Sequence, residues 1–187
     1  MKYITIEGID TSGKSTQISK LKTIYSNALF TKEPGGTIFG SALRQILLEK
    51  TINSKYAEFF LFLSDRAEHI HKLKQLNPDM IITDRSLISG IAYAKDIDID
   101  TATKLNIISC DGLLPTQVVF LKISRKELTN RLNKKTNDKI EQRGVEYLLD
   151  IQNNISKVIN KLQIDNIVLD ASSHPDILTS KIQKFIK

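Results

Sequence analysis

A chain of 187 residues suits a single domain spanning 1–187, and an apolar content of 41% supplies a core. Cys110 is the only cysteine, which excludes an internal disulfide and a multi-cysteine zinc site, and no apolar run approaches the ~20 residues of a membrane-spanning helix. The net charge of +6 is spread along the chain, not gathered into a block, which argues against a nucleic-acid-binding arm and fits phosphate-bearing small-molecule substrates. The chain enters a strand at once, without a signal peptide, so a cytoplasmic protein is the expectation.

In chain order, Lys2–Glu7 is rich in β-branched and aromatic residues and reads as a strand. It runs into Gly8-Ile9-Asp10-Thr11-Ser12-Gly13-Lys14-Ser15, which fits G-x-x-x-x-G-K-[ST]. Ile18, Leu21, Ile24 and Tyr25 then recur at helical spacing, so strand, glycine loop and helix all stand in the order that pattern requires. Gly8 and Gly13 permit backbone angles that aim successive N–H groups at a polyphosphate, at the positive end of the helix that follows. Lys14 would reach the β- and γ-phosphates, and the Ser15 hydroxyl would ligate Mg²⁺. The next strand is expected over Ala28–Thr31. Lys32-Glu33-Pro34-Gly35-Gly36-Thr37 follows and, read locally, is an ordinary turn. A helix with Ile38, Leu43, Ile46 and Leu47 on its apolar side and Arg44 among them comes next.

Lys55–Leu76 reads as one long helix in which Phe59, Phe62, Leu63, Arg66, Ile70 and Leu73 share the 3.6-residue period. Phe62 and Arg66 lie on one face. The pattern alone makes them a core phenylalanine and a snorkelling surface arginine. Asn77-Pro78-Asp79 ends the helix, and Met80–Thr83 is a short buried strand ending in Asp84-Arg85-Ser86. Asp84, at the carboxyl end of that strand, is placed either to hold Mg²⁺ or to cap the next helix, which carries Ser89, Gly90 and Tyr93. Asp96–Asp100 reads as an exposed linker. Thr101–Ser109 reads as a helix, Gln117–Ile123 as a strand and Ser124 as the cap of a further helix. Lys134–Lys139 is a solvated charged stretch. A helix from about Glu141 to Leu162, a strand over Asn166–Leu169 and a final helix over Pro175–Ile186 complete the chain. Five alternations of strand and helix specify an α/β fold, a parallel sheet with helices on both faces. Right-handed crossovers would bring Gly8–Ser15, Glu33 and Asp84 to one edge.

Taken together these stretches resemble the thymidylate kinase family of P-loop kinases over nearly the whole chain. Glu7–Thr16 resembles its first motif, which adds Thr16 to the nucleotide-binding set. Lys32–Thr37 resembles R-E-P-G-G-T, Phe62–Ala67 resembles F-x-x-D-R-A, and Asp84–Tyr93 resembles D-R-Y-x-x-S-x-x-A-Y. Asp138-Lys139-Ile140-Glu141 resembles the lid sequence D-R-I-E, and Asp170-Ala171 also matches. The resemblance implies a three-layer, five-stranded P-loop kinase fold with a short lid over about residues 133–143. It implies phosphorylation of dTMP to dTDP by ATP with Mg²⁺, a step toward dTTP, and a homodimer with neither nucleic-acid nor membrane partners. It implies that Phe62 stacks on thymine and Arg66 donates to its O4, replacing the local reading of that pair. Lys32, Arg44 and Arg85 would hold the acceptor phosphate, and Ser89 and Gly90 would line the base pocket. Tyr93 would pack under the sugar, and Asp10 and Glu33 would act around the sugar and the reacting groups.

The chain departs from the family pattern at several points. Lys32 replaces an arginine, Ser86 a tyrosine and Lys139 the lid arginine. Ala94 stands where many bacterial members carry glutamine, and Thr11 stands where one subgroup carries a P-loop arginine. A cation for the transition state would then come from the lid, with Lys134, Lys135, Lys139 and Arg143 as candidates. Three other readings are weaker. A different nucleotide kinase is opposed by the Phe62/Arg66 and Asp84–Tyr93 motifs. A GTPase is opposed because Asn133-Lys134 continues as Lys135-Thr136 and not as N-K-x-D. A nucleic-acid-binding ATPase is suggested by charge alone.

Overall fold

The computed structural model describes residues 1–134 and 143–187. In chain order the elements are β1 (Lys2–Glu7), α1 (Lys14–Ile24), β2 (Leu29–Lys32), α2 (Ile38–Glu49), α3 (Lys55–Leu76) and β3 (Met80–Asp84). Then come α4 (Leu87–Tyr93), α5 (Ile99–Ser109), β4 (Gln117–Lys122), α6 (Arg125–Leu132), α7 (Val145–Leu162), β5 (Asp165–Asp170) and α8 (Pro175–Phe185). The five strands form one sheet in the order β2-β3-β1-β4-β5, and every neighbouring pair is parallel.

Parallel strands need crossovers, and here each crossover contains at least one helix, so the sheet is covered and its central strands are apolar on both faces. Tyr3 and Ile81 pack against Ile70 and Leu73 of α3. Ile4, Ile6 and Ile82, next along β1 and β3 and therefore on the opposite face, belong to the main core with Leu21 of α1 and Leu178 and Ile182 of α8. Among the described residues no helix is long and apolar enough to cross a membrane.

The expected elements form with small differences that have local causes. β2 lies one residue later than Ala28–Thr31 because its ladder with β3 extends to Lys32 opposite Asp84. In α2 only Leu43 and Leu47 of the expected apolar side are buried. Thr37 caps that helix through the Gly40 N–H, which leaves Ile38 in the first turn, 94% exposed. The acidic stretch 96–100 is not all linker. The Asp98 carboxylate accepts from the Thr101 N–H at 2.9 Å and so starts α5 at Ile99. α7 begins at Val145, after Gly144 with φ 93°. Residues 135–142 of the expected lid, with Lys135, Lys139 and the expected helix start at Glu141, lie outside the described residues.

Ile82 is fully buried in β3, between β1 and β2. Ile82→Ala is expected to lower the unfolding free energy by ~2–5 kcal/mol, read as a reduced urea midpoint at unchanged m-value.

Candidate active site

The strand order places β2, β3 and β1 side by side, and their carboxyl ends open onto one edge. Two hydrogen bonds continue the ladders past the strands: the Glu33 N–H donates to the Asp84 carbonyl at 3.0 Å, and the Arg85 N–H to the Ile6 carbonyl at 3.1 Å. Glu33, Asp84, Arg85 and the Gly8–Ser15 loop are thereby held together.

The loop itself is shaped by its backbone. Gly8 has φ 153°, Thr11 φ 67° and Gly13, which caps α1, φ 91°. A Cβ on Gly8 would lie 2.8 Å from the Leu121 carbonyl, so only glycine fits there. The Lys14 ammonium is buried and donates to the Ile9 carbonyl at 3.0 Å, with Asp10 Oδ1 at 4.0 Å. Burial, reinforced by the Arg85 charge, lowers the Lys14 pKa to about 8. A polyphosphate seated in the loop would reverse that penalty.

Two clefts flank this edge. One, of about 330 Å³, is lined by Asp10, Glu33, Arg44, Phe62, Arg66, Arg85, Ser89, Gly90, Tyr93 and Arg143, among others. The second, of about 490 Å³, is lined by Ser15, Lys22, Lys32 and Asp84, among others. The structure thus lines the first cleft with nearly all the expected acceptor residues, while Lys32 lines the second. Lys32 is exposed at the end of β2 and faces the second cleft, because side chains alternate along a strand and its neighbour Glu33 turns inward. Asp84 does not cap α4, since the Ser86 hydroxyl takes that role by accepting from the Ile88 N–H at 3.3 Å. The Asp84 Oδ1 atom is buried and accepts no hydrogen bond from a described residue. One unpartnered carboxylate oxygen and one hydroxyl, Ser15, suit a hard divalent cation whose other ligands are phosphate and water. No group of three or more His, Cys, Asp or Glu among the described residues is placed to hold a metal alone.

In the first cleft two arginines are paired with carboxylates, Arg66 with Glu33 and Arg85 with Asp10. Arg85, with φ 70°, donates from Nη1 to the Gly8 carbonyl at 3.0 Å and to Ser89 Oγ at 3.1 Å, and from Nη2 to Asp10 Oδ1 at 2.5 Å. Its guanidinium lies 5.3 Å from the centre of the Tyr93 ring. Arg44 donates to the Pro34 carbonyl at 3.1 Å, and Phe62 stands half-buried in the cleft wall. Arg66 is buried, not snorkelling, and its Nε donates to Glu33 Oε2 at 2.8 Å. Burial alone would raise the Glu33 pKa, but the Arg66 charge and the hydrogen bond from His69 outweigh it and hold the carboxyl below its usual range. Arg143 stacks on Tyr147 and donates to its hydroxyl at 2.8 Å.

Several groups that matter here were not singled out from sequence. Glu7, fully buried, receives hydrogen bonds from Thr5 (3.1 Å), Ser86 (2.7 Å) and Ser89 (2.5 Å), while burial raises its pKa. His69 bridges Glu33 Oε1 at 3.0 Å and Thr31 Oγ1 at 2.7 Å, and its spacing of three from Arg66 on the same helix is the signal that could have found it. Arg131 of α6 donates to the Thr11 carbonyl and to the Ala171 carbonyl, each at 2.8 Å, and so ties the loop to the end of β5. No sequence pattern announces that contact.

The Glu33–Arg66 pair sets a pH expectation. The folded-state pKa of Glu33 lies below its unfolded value near 4.5, so the unfolded chain binds more protons in that window. The stabilisation is complete above that value and is lost as pH falls through the folded pKa. At pH 7 Glu33→Gln is expected to lose ~3–5 kcal/mol, the cost of leaving a buried guanidinium without its counter-charge. Denaturation of both proteins between pH 5 and 3 checks this, because the gap should narrow toward acid.

Comparison with known proteins agrees with this geometry. The family model described as thymidylate kinase matches residues 6–182. The chain is 46% identical over 185 residues to a thymidylate kinase of Aliarcobacter butzleri, covering 98% of each chain. It is 48% identical over 187 residues to one of Nautilia profundicola, covering 98% of this chain and 96% of the relative. Its fold is similar to the crystal structure of a thymidylate kinase from Ehrlichia chaffeensis, with a TM-score of 0.78 at 23% identity, over 100% of this chain and 98% of that one. A glycine loop, a paired-arginine cleft and near-complete alignment to these relatives lead to one conclusion: the chain belongs to the thymidylate kinase family.

Proposed function

We propose that the two neighbouring sites work as one phosphoryl-transfer centre within a single kinase domain, with ATP on the glycine loop and dTMP in the cleft lined by Phe62 and Arg66. As a thymidylate kinase the chain phosphorylates dTMP to dTDP, with ATP as the phosphate donor. The observation that carries the assignment of sites is shared membership: Asp10 belongs to the phosphate loop and also lines the acceptor cleft, and Arg85 bonds both Asp10 and the Gly8 carbonyl. A donor phosphate on the loop and an acceptor phosphate at Arg85 would therefore meet, and alignment is most of what phosphoryl transfer asks of a protein.

The roles follow from placement. The N–H groups of Gly8–Thr16 and the Lys14 ammonium bind the donor phosphates. Arg44 and Arg85 hold the acceptor phosphate in planar forks. Phe62 stacks on the base, Arg66 donates to its carbonyl, and Tyr93 closes the sugar side. Ser89 and Gly90 line the base, and Asp10 and Glu33 orient the arginines. Lys32, on the second cleft, serves the nucleotide edge and not the acceptor phosphate. Ser15 and Asp84 would hold Mg²⁺, which when bound neutralises charge on the donor phosphates. A further cation comes from Arg143, which lines the cleft, or from Lys139 in the lid sequence. With ADP release as the readout, dTMP should be the best acceptor among dTMP, dUMP, dCMP, dGMP and AMP. Lys14→Ala should stay folded and lose at least ~10²-fold in kcat, since removing preorganised charge from a dry site costs ~3 kcal/mol or more. Near-normal turnover would overturn the assignment of the loop.

A homodimer is supported by apolar residues left exposed on α3 and on the two helices that pack against it: Phe60 of α3, Ile38 and Phe39 of α2 and Ile108 of α5. Ile38→Lys combined with Phe60→Lys should turn a dimer into a monomer in sedimentation equilibrium. An unchanged dimer would move the interface off these helices.

A further inference from the structure

The acceptor cleft has a neighbour that does not line it. Asn106 of α5 is fully buried, and its carboxamide oxygen accepts a hydrogen bond from Arg66 Nη1. The orientation of that amide is decided by its other end, since Nδ2 donates to the Ala102 carbonyl one turn back at 2.7 Å. Asn106 can therefore present only an acceptor to Arg66. The guanidinium carries five N–H groups. Nε donates to Glu33 at 2.8 Å, one N–H of Nη1 goes to Asn106, and one of Nη2 goes to the Ser86 carbonyl at 3.1 Å. Two remain, one on each Nη.

Gly90 shows where that end of the fork lies. A Cβ on Gly90 would stand 2.7 Å from Nη1, 2.7 Å from Nη2 and 2.7 Å from Asn106 Oδ1. The outer end of the guanidinium and its asparagine partner thus occupy the room left by a missing side chain, at a point where Gly90 and Arg66 both line the cleft. Glu33 anchors one corner of the fork, and a single anchor at Nε leaves the plane free to swing. The contacts at Nη1 and Nη2 stop that swing.

We propose that Asn106 is a specificity-determining positioning residue, whose amide oxygen holds the Arg66 guanidinium so that its two remaining N–H groups are offered to a pyrimidine carbonyl. The inference rests on the reading that Arg66 recognises the base. Thymine carries a carbonyl at position 4 where cytosine carries an amine, so a fixed pair of donors separates the two and a swinging pair does not. Asn106 touches no substrate and acts through Arg66.

The test measures kcat and KM for dTMP and dCMP in wild type, Asn106→Leu, Asn106→Ala and Arg66→Leu. Asn106→Leu keeps the branching of the side chain and removes the acceptor. It is expected to raise KM for dTMP ~10-fold, to leave kcat within ~3-fold and to narrow the dTMP/dCMP ratio of kcat/KM by ~10-fold or more. A merely structural role would lower thermal stability or the active fraction and leave that ratio untouched. Asn106→Ala also withdraws the acceptor, without adding bulk, and should narrow the ratio too; it decides the matter if Asn106→Leu fails to fold. A wild-type ratio in either folded variant overturns the role of Asn106, provided that Arg66→Leu does collapse the ratio. If Arg66→Leu also keeps the wild-type ratio, the reading of Arg66 itself falls.

Discussion

The site depends on one constraint of topology. Parallel neighbours with right-handed crossovers must end at the same edge of the sheet, so the order β2-β3-β1 sets Glu33, Asp84 and Gly8 next to one another although 76 positions separate the first of them in sequence from the last. The ladder continues one residue beyond the strands, through Glu33 N–H to Asp84 O and Arg85 N–H to Ile6 O. Those bonds fix the backbone of three site segments as rigidly as the sheet itself. The positive φ at Arg85 then turns its side chain back over the loop.

A second constraint follows from burial. Arg66, Glu33, His69 and Glu7 are all buried, and a buried charge is tolerated only when its hydrogen-bonding capacity is met. The structure meets it with two short networks joined at Ser86. The Ser86 hydroxyl donates to Glu7, its carbonyl accepts from Arg66, and its side chain caps α4. Ser89, one turn on, joins Glu7 to Arg85. Arg66 and Arg85 are thus both linked to the Glu7 carboxylate, Arg85 through the Ser89 hydroxyl and Arg66 through the backbone carbonyl of Ser86, whose hydroxyl holds Glu7. A tyrosine at position 86 could not make the same close bond from a buried N-cap, which gives the serine found here a physical purpose.

The other departures from the family pattern also acquire a location. Lys32 lines the cleft of Ser15 and Asp84, whereas Arg44 and Arg85 line the other. Ala94 lines the same cleft as Arg66 and brings no polar group to it. Thr11, in a left-handed conformation, offers its carbonyl to Arg131.

The sequence by itself determined the α/β class, the five strands to within a residue or two, the long helix α3 and the place of the glycine loop between β1 and α1. Each is written in local terms: apolar period, β-branched runs, cap residues, and glycines at positions where a Cβ would collide. Phe62, Arg66 and Arg85 could be named because motif spacing carries them. What sequence could not convey is which way a side chain turns at a strand end and what lies across a crossover. Lys32 and Glu33 are neighbours in the chain yet face different clefts, because the strand alternates and only the packed sheet says which side is which. Arg66 reads locally as a snorkelling surface residue, yet it is buried, because Glu33 from the β2 end, Ser86 from the β3 end and Asn106 from α5 converge on it from 33, 20 and 40 residues away. A guanidinium can leave water only where such partners are already assembled, and that assembly is a property of the tertiary structure alone.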